Sequence, residues 1–442
     1  MAASTVKKGS ARPVRKPVAK KPAPQQNTAP EAKTAPKAKP VAAKKKRVKK
    51  EKDPNRIGFF YGKGSIDVPM LVITVALLVL GITMMFSASH ALSYRDNDGD
   101  SYGYAVRQMT FAAVGLGLMF VLSFVDYRLL RKEFKIKPFG KELTFTFSHL
   151  ALVVGLFVTF LVIPFGVSNT EGGPRRWLPI FGQTFQPSDV LKFAIIIFFA
   201  YYIAKNYKNM SYTMTGLVKP AILLVVVTWL MLEQPHLSGL LIMLLIAASM
   251  LFIGGVNMKT VVIIGGIAVV LLVIAVMASE FTYFADRVRY TFDPLADIDD
   301  KTYQNYQAVL AIGSGGMWGV GFGNSSQKYY YLPDAENDFV FAILCEEFGF
   351  VGGALVVILF MIFVFRGFYV ARKSEDRFGM LLATGITLQV GIQALLNIGV
   401  NCCCIPNTGI SMPFFSYGGT ALVIQLAEVG LLMSVSRRAK LN

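Results

Sequence analysis

The sequence is short of cysteine, histidine and acids, and each shortage closes off a class of function. Four cysteines are present, with Cys345 alone in an apolar run and Cys402, Cys403 and Cys404 adjacent. Neighbours in sequence point apart and no CxxC pair exists, so a zinc centre is excluded and the four read as small packing side chains. There is no Gly-Lys-Ser/Thr phosphate loop and no Gly-x-Ser-x-Gly elbow. Any reaction must therefore draw its energy from an activated substrate. Charged residues are only 16% of the 442 positions while 54% are hydrophobic, more apolar surface than a soluble domain can hide.

Acids number 27 against 45 Lys and Arg, a formal charge of +18, which at first sight suggests a nucleic-acid binder. The placement of the charge argues otherwise. Residues 1–63 hold 19 Lys and Arg against Glu31, Glu51 and Asp53, so +16 sits there and +2 on the rest. This Lys/Ala/Pro-rich segment, residues 1–65, has almost no large side chains to bury and is expected to be a disordered cytoplasmic tail. It lacks the apolar stretch of a signal peptide. It reads as an arm on anionic membrane lipids, each basic residue worth roughly 1 kcal/mol near the surface. An acidic protein partner is the alternative, and no nucleic acid is expected.

Beyond the tail, about ten segments are apolar enough to span a bilayer: Val68 to Ser89, Ala105 to Phe124, Leu143 to Val167, Ser188 to Ala204, Val218 to Leu232, Leu237 to Ile253, Val261 to Ala278, Phe339 to Val364, Phe378 to Val400 and Met412 to Val435. The fold class is all-α and polytopic. An even count puts both termini on one side, and the basic tail assigns it to the cytoplasm. Loops predicted inside carry 17 Lys and Arg, whereas outer loops and spans carry nine. Arg175, Arg176, Arg287 and Arg289 run against that bias and are candidate anion contacts. The longest connection, about 280–338, lies outside, and its length and many glycines suggest a functional loop that folds down into the membrane interface.

That loop contains Gly321-Phe322-Gly323-Asn324-Ser325-Ser326-Gln327-Lys328, then Tyr331-Leu332-Pro333-Asp334-Ala335-Glu336-Asn337-Asp338-Phe339 and Glu346-Glu347-Phe348-Gly349. Elsewhere stand Arg175-Arg176-Trp177, Gln186-Pro187-Ser188-Asp189 with Lys192, Gln234-Pro235 with Gly239, Arg287 with Arg289, Asp293-Pro294, Tyr303-Gln304 with Gln307, and Pro406, Thr408-Gly409, Pro413-Phe414 and Ser416-Tyr417-Gly418-Gly419. Together these resemble the SEDS family (shape, elongation, division, sporulation) from roughly Val68 to Arg438, with residues 66–442 as its transmembrane domain. Asn-Ser-x-Gln-Lys is more similar to division-type FtsW and sporulation-type SpoVE members than to rod-elongation RodA. The chain departs from the family pattern at His236, Asp189 and Asn337, which replace an acid, a Glu and a Thr. His236 is given no catalytic role.

The resemblance implies a peptidoglycan glycosyltransferase that polymerises lipid II during cell division, with undecaprenyl pyrophosphate leaving as the acceptor hydroxyl attacks. It implies an inner-membrane location at the division septum, and as partners a class B penicillin-binding protein and other divisome proteins. Such chemistry needs a carboxylate base, cations for the pyrophosphate and an apolar groove. Asp338 is the family's loop aspartate and the candidate base, with a helix N-cap as its structural alternative. Substrate contacts are implied for Arg175, Arg176, Trp177, Lys192, Arg287, Arg289, Gln307, Lys328 and Ser416; any one arginine could instead touch lipid phosphate. Asp189 and Lys192, three apart on one helix face, fit a structural ion pair equally well. Glu346 or Glu347, two turns below Asp338, could raise its pKa. No ligand cluster names a metal, and a divalent cation such as Mg bridging the pyrophosphate stays open. The competing readings are a lipid II flippase, a sporulation or elongation polymerase, and a divisome scaffold without chemistry.

Overall fold

The computed structural model describes residues 64–136, 143–168, 173–180, 183–212, 214–257, 302–407 and 409–439, with a few isolated positions besides. The basic segment 1–58, the expected seventh span apart from isolated positions, and Arg287 and Arg289 lie outside the described residues. What is described is helical, with two short antiparallel hairpins, β1 (Glu133–Ile136) with β2 (Leu143–Thr146) and β3 (Leu178–Ile180) with β4 (Gln183–Phe185).

The helices are α1 (Val68–Asp96), α2 (Gly103–Phe124), α3 (Phe147–Phe160) continuing past Leu161 into α4 (Val162–Phe165), α5 (Pro187–Asn206), α6 (Lys219–Leu232), α7 (Leu237–Ile253), α8 (Tyr303–Ser314), α9 (Val340–Lys373), α10 (Arg377–Asn401) and α11 (Gly419–Ser436). Seven, counting α3 with α4 as one, are long and apolar enough to cross a membrane. The expected fifth and sixth spans are shorter, 14 residues in α6 and 17 in α7. At 1.5 Å per residue these reach roughly 21 and 26 Å, short of a bilayer core of about 30 Å. Among the described residues, then, nine of the ten expected segments are present as helices, two of them short.

Two corrections to the expected boundaries matter for function. The tenth segment begins as a helix only at Gly419, so residues 412–418 are free to form a loop. The long connection is not structureless, because Tyr303–Ser314 is helical. Beyond it, the turn 315–321 lies against α9, where Gly349 (φ 65°, ψ −165°) breaks the helical backbone. The turn satisfies the opened groups: the amides of Val320 and Gly321 donate to the carbonyls of Glu346 and Glu347, and the amides of Phe350 and Val351 to Gly316 and Met317. A helix break within a membrane protein persists only where other backbone supplies the missing partners. Gly319 is required at that crossing, since a Cβ there would collide with the Glu347 carbonyl.

Apolar packing between helices supplies little net drive in lipid, so close approach at small residues matters. A Cβ at Gly115 of α2 would lie 2.6 Å from Leu426, and one at Gly430 of α11 would lie 2.6 Å from the Met119 carbonyl. At one end of the bundle, ion pairs join Asp67 to Arg366 at 2.8 Å and Asp126 to both Arg128 at 3.1 Å and Arg438 at 3.0 Å. The opposite end is hollow.

Candidate active site

The hollow is a cavity of about 910 Å³, near the upper limit of ordinary ligand sites. The end of α1 and the start of α2 line it with Arg95, Asp96, Tyr104 and Arg107; Arg176 and Trp177 beside hairpin β3–β4, and Asp189 and Lys192 of α5, line it as well. The loops 330–338 and 409–418 close it with Glu336, Asp338 and Ser416, while Leu92, Phe111, Ile242 and Phe414 make part of the lining apolar.

Asp338 is half-buried on this cavity. The N-cap of α9 is Phe339, with no side-chain cap hydrogen bond, so the capping alternative for Asp338 does not apply. Gly409 (φ 67°) leaves room beside the carboxylate: a Cβ there would sit 3.3 Å from Asp338 Oδ2. Glu336 lies on the same loop, buried, with Oε1 accepting from Asn337 Nδ2 at 3.2 Å. Burial first, then the nearby Asp334 and Asp96, pushes its carboxyl up to about 7, since desolvation disfavours the charged form.

Also lining the cavity, Lys192 Nζ pairs with Asp189 Oδ1 at 2.7 Å, both side chains buried. Arg176 is anchored by donating to the carbonyls of Gln234, at 3.4 Å, and Pro235. His236 is linked to Gln186 Nε2 at 3.1 Å through its own Nε2. Burial, with Arg176 and Lys192 nearby, pushes the imidazole down to about 3 and keeps it neutral. It cannot replace the missing family acid.

The structure thus brings Asp338, Arg176, Trp177, Lys192, Lys328 and Ser416 to one cavity. Arg175 is exposed and Gln307 of α8 is buried, and neither lines it. Two lining residues are already engaged by the protein. Lys328 Nζ donates to Ser87 Oγ at 3.1 Å, the Gly323 carbonyl at 2.6 Å and Glu347 at 3.0 Å, which accounts for all three of its donors. Ser416 Oγ donates to the Asn337 carbonyl at 2.5 Å and accepts from the Met412 amide at 2.6 Å. Glu346 and Glu347 hold the preceding loop, Glu346 accepting from Ser325 Oγ at 2.5 Å and the Ser326 amide at 2.9 Å, so the expected tuning of Asp338 is not their evident work. Sequence reasoning passed over Glu336 and Tyr104, and over Arg95 and Arg107 as site residues, although these two stood among the few basic residues outside the inner loops. Among the described residues no group of three His, Cys, Asp or Glu is placed to hold a metal ion.

Comparison with known proteins bears on the whole region. The family model for FtsW, RodA and SpoVE, described as cell cycle protein, matches residues 68–441. The chain is similar to stage V sporulation protein E of Bacillus subtilis, 35% identical over 379 residues that cover 86% of this chain and 99% of that protein. It is also similar to a probable peptidoglycan glycosyltransferase FtsW of Nitrosomonas europaea, 33% identical over 381 residues, 85% of this chain and 94% of that one. Among solved structures it resembles a chain from work on the structural coordination of polymerization and crosslinking by a peptidoglycan synthase complex, with TM-score 0.67, 25% identity and coverage of 84% and 98%. The rod shape determining protein RodA of Thermus thermophilus shares the fold, with TM-score 0.60, 24% identity and coverage of 85% and 98%.

Proposed function

The chain belongs to the FtsW, RodA and SpoVE family of cell cycle proteins, and from that premise we propose how its cavity works. The protein is a multi-pass membrane peptidoglycan glycosyltransferase that polymerises lipid II. The observation that carries the site assignment is the presence of Asp338, Arg176 and Lys192 on one cavity whose lining is part polar and part apolar.

Asp338 takes the proton from the acceptor's 4-hydroxyl as its oxygen attacks the anomeric carbon of the donor glycan. The bond from that carbon to the pyrophosphate oxygen breaks with inversion, and undecaprenyl pyrophosphate departs with the electron pair. Arg176, whose anchoring leaves its guanidinium on the cavity, and Lys192 offset the charge that develops on the leaving group. Asp189 holds the Lys192 ammonium in place at 2.7 Å within an apolar bundle. Trp177 offers an apolar face for a sugar ring. The cavity end of the bundle faces outward, both termini are cytoplasmic and the protein works at the division septum, a reading supported by the distribution of basic residues and the division-type loop. A class B penicillin-binding protein is its working partner; failure of affinity-purified protein to bring down any transpeptidase would count against that pairing.

The test uses purified protein in detergent, which has no two sides to flip lipid between. Given lipid II, the wild type forms glycan chains, and Asp338→Asn, equal in expression and melting, loses about 10²- to 10⁴-fold in rate. Wild-type protein that makes no polymer even with its partner, yet moves lipid II across proteoliposomes, would establish a flippase instead.

A further inference from the structure

Two asparagines one turn apart on α10, Asn397 and Asn401, are both fully buried. An amide side chain in that setting is costly unless its groups are paired, so their partners say what they are for. Asn397 Nδ2 donates to the carbonyl of Asp338 at 2.8 Å and to that of Ile410 at 2.7 Å. Asn401 Nδ2 donates to the same Asp338 carbonyl at 2.9 Å and to the Asn397 carbonyl at 2.9 Å. Asn401 Oδ1 accepts from the amide of Ala342, in the first turn of α9, at 3.0 Å. The backbone oxygen of Asp338 therefore receives two donors from a helix about sixty residues away in sequence, enough to use both its lone pairs.

The neighbouring carbonyls are gripped in the same way. Glu336 O accepts from the Tyr417 amide at 2.9 Å and Asn337 O from Ser416 Oγ at 2.5 Å. Three consecutive carbonyls ahead of α9 are thus each held by the last third of the chain. Asn397 does more than the others. Through Ile410 it also fixes the loop beside Gly409, the residue whose missing Cβ leaves space at Asp338 Oδ2.

We propose that Asn397 and Asn401 are positioning residues, which set the place of the Asp338 carboxylate by clamping its backbone carbonyl from α10. The proposal rests on Asp338 being the base. Asparagine is required because the clamp needs donors; aspartate has the same shape but offers a carbonyl only acceptors. In Asn401→Asp an oxygen can still serve the Ala342 amide, so the substitution removes one of the two donors to the Asp338 carbonyl and keeps the contact with Ala342.

The experiment takes full-length Asn397→Asp and Asn401→Asp, measures lipid II polymerisation at several substrate concentrations, and follows amide hydrogen exchange and melting on the same preparations. Misplacing a reacting group by about 1 Å costs on the order of 10²-fold, so the expected result is a kcat lowered about 10- to 100-fold with KM nearly unchanged. Exchange should quicken first over residues 336–342, and melting should fall as well, because each variant sets a buried carboxyl against carbonyl oxygens; the rate is therefore read per active molecule, well below the transition. A purely structural role would lower melting and the yield of active protein while leaving kcat per active molecule intact, and that result overturns the proposal. Faster exchange with unchanged kcat overturns it as well. Asp338→Asn is measured in parallel: if it stays active, the base assignment fails and the clamp loses its purpose, whereas if it is inactive while both asparagine variants keep full kcat, only the clamp fails.

Discussion

Replacing Lys328 by methionine decides whether its ammonium serves the substrate or the scaffold. The side chains of Lys328 and Glu347 are 3% and 0% exposed, with Nζ and Oε1 at 3.0 Å. Ser87 Oγ donates to the same Oε1 at 2.5 Å, and Glu347 Oε2 has no further hydrogen-bond partner. Lys328→Met thus leaves a carboxylate in an apolar bundle with one hydroxyl for company. Breaking a buried pair from one side costs about 3–5 kcal/mol, whereas replacing both partners by apolar groups is often neutral. The expectation is a melting temperature several degrees lower for Lys328→Met, largely recovered in Lys328→Met with Glu347→Leu. The assay is thermal unfolding of purified protein in detergent, with the polymerisation rate read well below the transition. A single variant that melts like the wild type but has lost its rate would mean that Lys328 is a pyrophosphate ligand, and would refute the scaffold argument. A double variant no more stable than the single would refute the energetic reasoning.

Glu336 supplies a pH dependence. Its carboxyl titrates near 7 when folded against an ordinary value of 4.5, so the folded state holds the proton more tightly and the group's contribution to stability is present below 4.5 and lost as pH rises through 7. A shift of that size is worth at most roughly 3 kcal/mol, so melting should fall between pH 4.5 and 7 and Glu336→Gln should flatten that decline; an unaltered profile would show that another group sets it. Removing residues 1–60 should leave membrane insertion and polymerase rate intact while weakening attachment through the tail. Unchanged septal localisation of the truncated protein would count against that role.

What the sequence reveals here depends on how far apart the interacting residues lie. The spans were legible because each is a local property of about twenty residues, and they misled where helices are short, as in α6, where the start of a run is a strand, as at Leu143–Thr146, or where an apolar run is a loop, as at residues 412–418. Asp338 stands out through its motif and lies on the cavity, but the contacts around it were not legible. Lys328 counted as an outer basic residue because a charge tally sees no partner nineteen positions later in Glu347, and Ser416 stood as a substrate contact because nothing in its motif announces Asn337 as the owner of its hydroxyl. The asparagines escaped notice altogether. In sequence they are two polar interruptions of an apolar helix, which a hydropathy reading tolerates as interior-facing; only their pairing with residues 338 and 342 gives them a purpose. The same holds for Gly349, which reads as one glycine in a long helix and is the point where that helix opens to take up the turn 315–321. The motif loop, the asparagines and the glycine thus form one arrangement around the start of α9. One partner in each of its bonds is a backbone carbonyl or amide that every residue carries, which is why a motif alone does not show what holds it.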